Sequence, residues 1–268
     1  MTQADVAPDL ERRFGGVRRL YGATAFARFT TAHVTLAGVG GVGSWTAEAL
    51  ARSGIGRLTL IDLDMVAESN TNRQIHALDD VYGRAKVEVM AERIRAIHPG
   101  CVLIPIEEFI TPENVAARIP RDCAVVVDAT DNAHAKAALI AHCRRHDIAV
   151  ISCGAAGGKR DPSRLARADL AHVADDPLLA RVRSLLRREY GFPKGNDRGK
   201  RGNEARSFGV AALFSSERIR MPETCAAPQG LSCAGYGSSV CVTAAMGFLA
   251  AASTLEMLAA PTFSTSPS

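Results

Sequence analysis

The chain has 268 residues, 47% of them hydrophobic and 22% charged, with a formal net charge of +4. That length and apolar content suit one large globular domain, or a nucleotide-binding domain with an elaborated C-terminal part, and exclude a disordered or disulfide-built chain. The mildly basic balance is compatible with a polyanionic partner.

Near the N-terminus, Asp5, Asp9 and Glu11 precede any apolar run, which argues against a signal peptide. The seven cysteines (Cys101, Cys123, Cys143, Cys153, Cys225, Cys233 and Cys241) contain no C-x-x-C pair. An odd set without a leader predicts reduced thiols in a cytoplasmic protein, most of them buried as small apolar residues.

Residues 34–37 form an apolar, β-rich run that enters Gly38-Val39-Gly40-Gly41-Val42-Gly43. A helix is expected over 43–53, and a second strand over 58–61 ends in Asp62 and Asp64. This is a strand, a phosphate-approaching turn, a helix and a strand tipped by an acid. Glycines let backbone approach phosphate oxygens, and a helix N-terminus presents free N–H groups to them. The acid is placed to hold ribose hydroxyls.

Residues 70–76 read as a short helix or turn. Val87, Met90, Ile94 and Ile97 at helical spacing predict an amphipathic helix over 83–97. A third strand follows at 102–106, then a short helix at 112–119 capped by Thr111. A fourth strand at 124–128, a helix at 133–146 and a fifth strand at 149–152 complete the alternation. This predicts an α/β fold: a doubly wound, Rossmann-like, mostly parallel sheet in residues 1–155, with a C-terminal extension over 156–268.

In that extension, 154–159 is a loop, and 165–168 and 208–214 are candidate strands. Residues 177–190 form a basic helix, and 191–206 are rich in glycine and charge. Residues 231–255 carry no charge. They are long enough to span a bilayer, but Ala, Gly, Ser and Thr dominate, so a tightly packed core or dimer-interface helix is the preferred expectation over a membrane span.

The G-x-G-x-x-G of Gly38, Gly40 and Gly43 with Asp62 makes a nicotinamide dehydrogenase the default reading. Three features point instead to ATP. Arg73 lies close in sequence to the ribose-reading acid, and Lys86 opens the next helix; a triphosphate needs such cations. The fourth strand ends in Asp128-Ala129-Thr130-Asp131-Asn132, on the ligand-binding edge of such a sheet, and Asp131 is suited to Mg²⁺. Each residue also has a bland reading: Arg73 as a surface ion pair, Lys86 as a solvated helix residue, Asp131 as a helix cap, Asp62 as a strand-end turn residue.

Together, GVGGVG, Asp62-Leu63-Asp64, Asn70-x-Asn72-Arg73-Gln74, Lys86 and Asp128-Ala129-Thr130-Asp131-Asn132 resemble the ubiquitin-activating-enzyme-like adenylyltransferases over residues 12–155. Segments 73–78, 47–56, 86–94 and 136–145, with RRFGGVRRLYG near the start, resemble the tRNA threonylcarbamoyladenosine dehydratase branch almost end to end. The resemblance implies ATP and Mg²⁺, a carboxylate attacking the α-phosphate, release of pyrophosphate, and ring closure by the carbamoyl nitrogen of the same side chain. It implies a nucleotide-binding set of Gly38, Gly40, Gly41, Gly43, Asp62, Asp64, Asn70, Asn72, Arg73, Gln74 and Lys86. Arg73, Lys86 and Asp131 are then the catalytic residues, and Asp131 the metal ligand.

The implied partners are tRNA carrying threonylcarbamoyladenosine, a second copy of the chain, and a cysteine desulfurase or sulfur-acceptor system. A tRNA substrate would account for the basic run Arg181, Arg183, Arg187, Arg188, Lys194, Arg198, Lys200, Arg201 and Arg206. Two departures stand out. The R-[FY]-x-R start of the broader group is here Arg13-Phe14-Gly15-Gly16, leaving Arg18 or Arg19 to reach a partner's site. The zinc-binding C-x-x-C pairs of sulfur-carrier activators are absent, so structural zinc is not expected. Cys233 is either a buried structural cysteine or a reactive thiol. Activation of a ubiquitin-like sulfur carrier, a nicotinamide oxidoreductase and a non-catalytic adaptor docking to a sulfur-transfer system are the competing functions.

Overall fold

In the computed structural model the described residues are 9–194, 207–220 and 236–260. Seven strands form one sheet: β1 (His33–Ala37), β2 (Arg57–Ile61), β3 (Val102–Ile106), β4 (Val125–Asp128), β5 (Ala149–Cys153), β6 (Leu165–Asp169) and β7 (Ala211–Ser215). Their order is β3-β2-β1-β4-β5-β7-β6. Every pairing is parallel except β6 with β7. The chain runs outward from β1 through β2 to β3, then returns to β4 on the other side of β1. This reversal opens a crevice at the C-terminal ends of β1 and β4, where such sheets bind ligands.

The helices are α1 (Leu10–Tyr21), α2 (Ala23–Thr31), α3 (Gly43–Arg52), α4 (Lys86–Ile97), α5 (Val115–Arg118), α6 (Ala133–Arg145), α7 (Pro177–Glu189) and α8 (Val240–Ala259). Strand alternation sorts the central residues to two faces. Val125 and Val127 point to a core containing Phe29, Leu50, Met90, Ile94 and Met246. Val126 and Val150 point to the other core, with Leu139, Ile140, Leu179, Val182 and Leu186. Both faces are covered, which is why the central strands read as unbroken apolar runs.

Several elements differ from the sequence reading. The helix expected over 112–119 is regular only over α5, but Thr111 starts it as expected: its hydroxyl accepts the Asn114 N–H at 3.3 Å and its carbonyl the Val115 N–H at 3.1 Å, while the Asn114 side chain accepts the Thr111 N–H at 2.8 Å. This reciprocal pair is a capping box, and it satisfies two N–H groups at the start of the helix. β7 starts at Ala211 rather than 208, because the Asp169 carboxylate accepts the N–H groups of Phe208, Gly209 and Val210 and wraps that backbone around itself. The sequence reading assigned no helices to α1 and α2, which bury Phe14 and Phe29.

Helix α8 is long and apolar enough to cross a bilayer. Here it packs along α3. A side chain at Gly247 would meet the Val42 carbonyl oxygen at 2.6 Å and Trp45 Cβ at 2.8 Å, so only glycine allows this approach. The Thr46 hydroxyl donates to the Gly247 carbonyl at 3.2 Å across the contact.

Candidate active site

The crevice at the sheet edge is a cavity of about 450 Å³. Its floor is the glycine turn after β1. Gly38 has φ +88°, and a Cβ there would meet the Ala129 carbonyl carbon and oxygen at 2.9 Å, so the turn after β1 and the loop after β4 touch backbone to backbone. Gly40 and Gly41 line the cavity, whereas Gly43 does not. A Cβ on Gly43 would sit 1.8 Å from the Gly38 carbonyl oxygen. Its absence lets α3 start tight against the strand and aim its free N–H groups at the cavity.

Asp62 and Asp64 follow β2 and line one end. The Asp62 carboxylate is buried and accepts the Val39 N–H at 2.7 Å and the Asp64 N–H at 2.9 Å. Burial raises its pKa, opposed by the charge of Lys86 and by these two N–H donors. Lys86 opens α4, is itself buried, and donates from Nζ to Asp64 Oδ2 at 2.7 Å. Arg73 lines the same cavity; its Nη1 donates to the Ser69 carbonyl at 2.8 Å and to Asn72 Oδ1 at 3.0 Å. Gln74 lines it too, and its buried Oε1 has no hydrogen-bond partner among the described residues.

Asp131 lies in the loop after β4 and lines the cavity with Ala129, Thr130 and Asn132. Asn132 is the cap of α6, accepting the N–H groups of His134 and Ala135 at 2.9 and 3.1 Å. Capping therefore falls to Asn132, which leaves the Asp131 carboxylate available to a ligand. Asn70 and Asn72 lie outside the lining. Asn70 closes the turn by accepting the Ala67 N–H at 3.1 Å, and Asn72 donates to the Ser238 carbonyl at 3.0 Å.

The structure adds wall residues that the sequence reading did not single out. Glu108, Phe109, Ile110 and Thr111 follow β3, and Gly154, Ala155 and Ala156 follow β5. All sit at C-terminal strand ends, so the strand-end rule was the signal that pointed to them. Thr243 of α8 and Leu178 of α7 also line the cavity and carry no such signal. Thr243 arrives because α8 lies on α3: its Cγ2 is 3.3 Å from where a Gly41 Cβ would be. The Trp45 indole, on α3, holds the Arg73 carbonyl at 3.0 Å.

Arg13 does not approach the cavity; its Nη1 donates to the Ile97 carbonyl at 2.6 Å, at the end of α4. Arg18 pairs with Glu11 at 2.8 Å. Cys225, Cys233 and the basic residues Arg198, Lys200, Arg201 and Arg206 lie outside the described residues. Cys101, Cys123, Cys143 and Cys153 are buried free thiols, with burial raising the pKa of each.

A switch-point crevice with a glycine turn, a buried acid after β2, two cations and a carboxylate after β4 defines a nucleotide-binding α/β protein equipped for a polyphosphate. Known proteins narrow this class. The ThiF family matches residues 16–263. The tRNA threonylcarbamoyladenosine dehydratase of Escherichia coli is 45% identical over 260 residues, covering 93% of this chain and 94% of that one. The protein of the same name from Haemophilus influenzae is 44% identical over 252 residues, covering 92% and 94%. The crystal structure of the E. coli dehydratase in complex with ATP superposes with a TM-score of 0.83 at 45% identity, covering 95% of this chain and 97% of that chain. The chain therefore belongs to the ThiF family and, within it, groups with the tRNA threonylcarbamoyladenosine dehydratases.

Proposed function

We propose that this protein uses ATP to dehydrate threonylcarbamoyladenosine in tRNA through an adenylated carboxylate. One observation carries the reading: Asp62, Arg73, Lys86 and Asp131 meet around one cavity, in a chain similar to the dehydratases over 93% of its length.

A carboxylate is a poor electrophile. Its oxygen attacks the α-phosphorus of ATP, pyrophosphate leaves, and the carboxyl carbon becomes part of a mixed anhydride. Arg73 and Lys86 would offset charge on the departing phosphates. The carbamoyl nitrogen of the same side chain then attacks the carbonyl carbon and AMP leaves with one former carboxylate oxygen. The net change is loss of one water from the nucleoside, coupled to conversion of ATP to AMP and pyrophosphate. Because the ring closes within one side chain, proximity supplies the advantage an enzyme nucleophile would otherwise give.

Among the described residues no three carboxylate, histidine or cysteine groups cluster as a self-sufficient metal site. A lone carboxylate beside a phosphate site suits Mg²⁺, which keeps several waters and takes substrate phosphates as ligands. Asp131 would hold that ion, which would supply further charge neutralisation.

The basic face of α7 supports a tRNA substrate. Leu178 lines the cavity, and Arg187 stands nine residues on, about 13 Å along the helix. There Arg183, Arg187, Arg188 and Lys194 border a second, open depression. Arg183 Nη1 is buried without a hydrogen-bond partner among the described residues, and burial together with Arg187 holds its pKa below the ordinary guanidinium value. Arg188 and Lys194 are the exposed cations there, open to RNA phosphates.

A homodimer is part of this reading, with exposed Phe248 on α8 and Val102 on edge strand β3 as apolar surface for a second copy. So is a cytoplasmic location, in keeping with the free thiols. A sulfur-transfer partner remains a further expectation from the family. The sulfur-carrier alternative shares the nucleotide cavity, but nothing outside it favours that reading.

The test is mass analysis of tRNA nucleosides after incubation with protein, ATP and Mg²⁺. Threonylcarbamoyladenosine lighter by one water is expected; unchanged nucleoside, with pyrophosphate exchange driven instead by a carrier protein, overturns the reading.

A further inference from the structure

Beneath the loop that carries Asp131 lies an ion pair that touches no ligand-facing surface. Lys136 and Asp128 are both completely buried, with Lys136 Nζ 3.0 Å from Asp128 Oδ2. The same Nζ donates to the Asp128 carbonyl at 3.1 Å and lies 3.5 Å from Ser152 Oγ. The Ser152 hydroxyl donates to Asp128 Oδ2 at 3.0 Å. The other carboxylate oxygen accepts the Thr130 N–H at 3.2 Å and the Thr130 hydroxyl at 2.8 Å. The ammonium has three acceptors and both carboxylate oxygens are occupied, so the network is closed. A closed buried network rigidifies what it holds; breaking one partner leaves an uncompensated charge.

What it holds is specific. Asp128 ends β4 and Lys136 lies in the first turns of α6, so the pair clamps the two ends of the loop 129–132. Asn132 caps α6 from within that loop, and Thr130 is tied back to Asp128. Asp131 is the residue between these two anchors. The loop also abuts the phosphate turn, since Ala129 and Thr130 backbone atoms lie within 3.0 Å of where a Gly38 Cβ would be. A slack loop would displace the Asp131 carboxylate, while the glycine turn stays held from the other side by the Val39 N–H bond to Asp62 at 2.7 Å.

We propose that Lys136, Asp128 and Ser152 form a positioning device that sets the Asp131 carboxylate for a divalent cation on the ATP phosphates. The inference rests on the reading of Asp131 as the metal-holding residue. The device acts through the loop and is not catalytic. Its removal therefore weakens metal binding selectively and spares the nucleoside end, which Asp62 and the glycine turn build.

The experiment measures Mn²⁺ binding by electron paramagnetic resonance, on full-length protein with a non-hydrolysable ATP analogue, beside metal-free AMP binding. Lys136→Met is expected to weaken Mn²⁺ binding about ten-fold, the scale seen when outer partners of metal ligands are lost, with AMP affinity unchanged. Ser152→Ala removes two hydrogen bonds, one to Asp128 and one from Lys136, but keeps the ion pair, and is expected to shift Mn²⁺ binding in the same direction by less; it decides the matter if Lys136→Met does not fold. If Asp131→Ala loses Mn²⁺ while the foldable device variants bind it normally, the device is refuted and the site reading stands. If Asp131→Ala itself binds Mn²⁺ as the parent does, the site reading and this inference fall together. Equal weakening of AMP and Mn²⁺ binding would reduce the network to a general structural role and overturn the proposal.

Discussion

The Asp62 carboxylate and the Val39 backbone are joined by a 2.7 Å hydrogen bond, so the acid at the end of β2 and the glycine turn after β1 form one rigid unit. The two carboxylate oxygens serve two N–H donors, Val39 on Oδ2 and Asp64 on Oδ1. Asp62→Asn keeps the shape but offers one oxygen, leaving an amide NH₂ against an N–H. The expected cost is about 1–3 kcal/mol of stability and a smaller rise of Tm on adding AMP. Thermal unfolding with and without AMP measures both; an unaltered AMP response would remove Asp62 from the site.

Lys86 is buried, yet its partner Asp64 has a side chain 53% exposed. Lys86→Met leaves Asp64 to be solvated by water but strips the buried Asp62 carboxylate of the cation that offsets its burial, so some stability is lost as well. Turnover should fall by roughly 10²-fold or more, as for loss of a transition-state charge partner, while AMP affinity drops far less. Steady-state kinetics beside AMP titration checks this; equal losses in both would mean that Lys86 merely shapes the pocket.

The glycines separate by role. A methyl on Gly43 would fall 1.8 Å from a backbone oxygen, whereas one on Gly40 meets only Gln74 Nε2 at 4.0 Å. Gly43→Ala should destabilise by more than about 3 kcal/mol. Gly40→Ala should fold normally but bind ATP at least about ten-fold more weakly, since its methyl occupies the backbone's approach to phosphate. Urea unfolding and ATP titration distinguish the two.

His76 is 1% exposed and both ring nitrogens lack partners among the described residues. Burial first, then Lys86 and Arg93, lowers its pKa from 6.5 to about 4. The unfolded chain thus binds a proton at 6.5 that the folded chain refuses until about 4. Stability from this group is present above pH 6.5 and falls as the pH drops through that window, by about 2 kcal/mol between pH 7 and pH 5. His76→Leu should flatten that part of the stability curve. Denaturant unfolding at the two pH values reads it; identical slopes in parent and variant would be the contrary result.

Arg188 and Lys194 border the depression on α7 and are exposed. Neutralising both as Arg188→Gln and Lys194→Gln should raise KM for tRNA and leave KM for ATP unchanged. The dependence of log KM on log salt should become shallower by about 0.7–0.9 per lost phosphate contact. An unchanged salt slope would take RNA off this face.

Local sequence carried much of this molecule. The apolar runs that became β1, β2, β4 and β5, the glycine turn and the acids after β2 and β4 were legible, because strand period, glycine freedom and the strand-end rule are short-range effects. The 208–214 segment is shorter as a strand because the Asp169 carboxylate, 39 to 41 residues away in the chain, takes the N–H groups of Phe208, Gly209 and Val210, a contact that no short-range signal carries. Likewise, residues 231–255 looked apolar without revealing their partner. Only packing on α3 brings Thr243 to the cavity wall.

Sequence by itself determined the α/β alternation and a phosphate turn followed by acids and cations in a family-specific order, since each depends on residues near one another in the chain. Tertiary structure decided which of those residues share a cavity. It left Asn70, Asn72 and Gly43 outside the lining, brought in Leu178 and Thr243 from remote helices, and closed Lys136 onto Asp128 and Ser152. The physical reason is that contact between distant segments is set by how whole layers pack, and burial, not spacing, fixes which polar groups must meet.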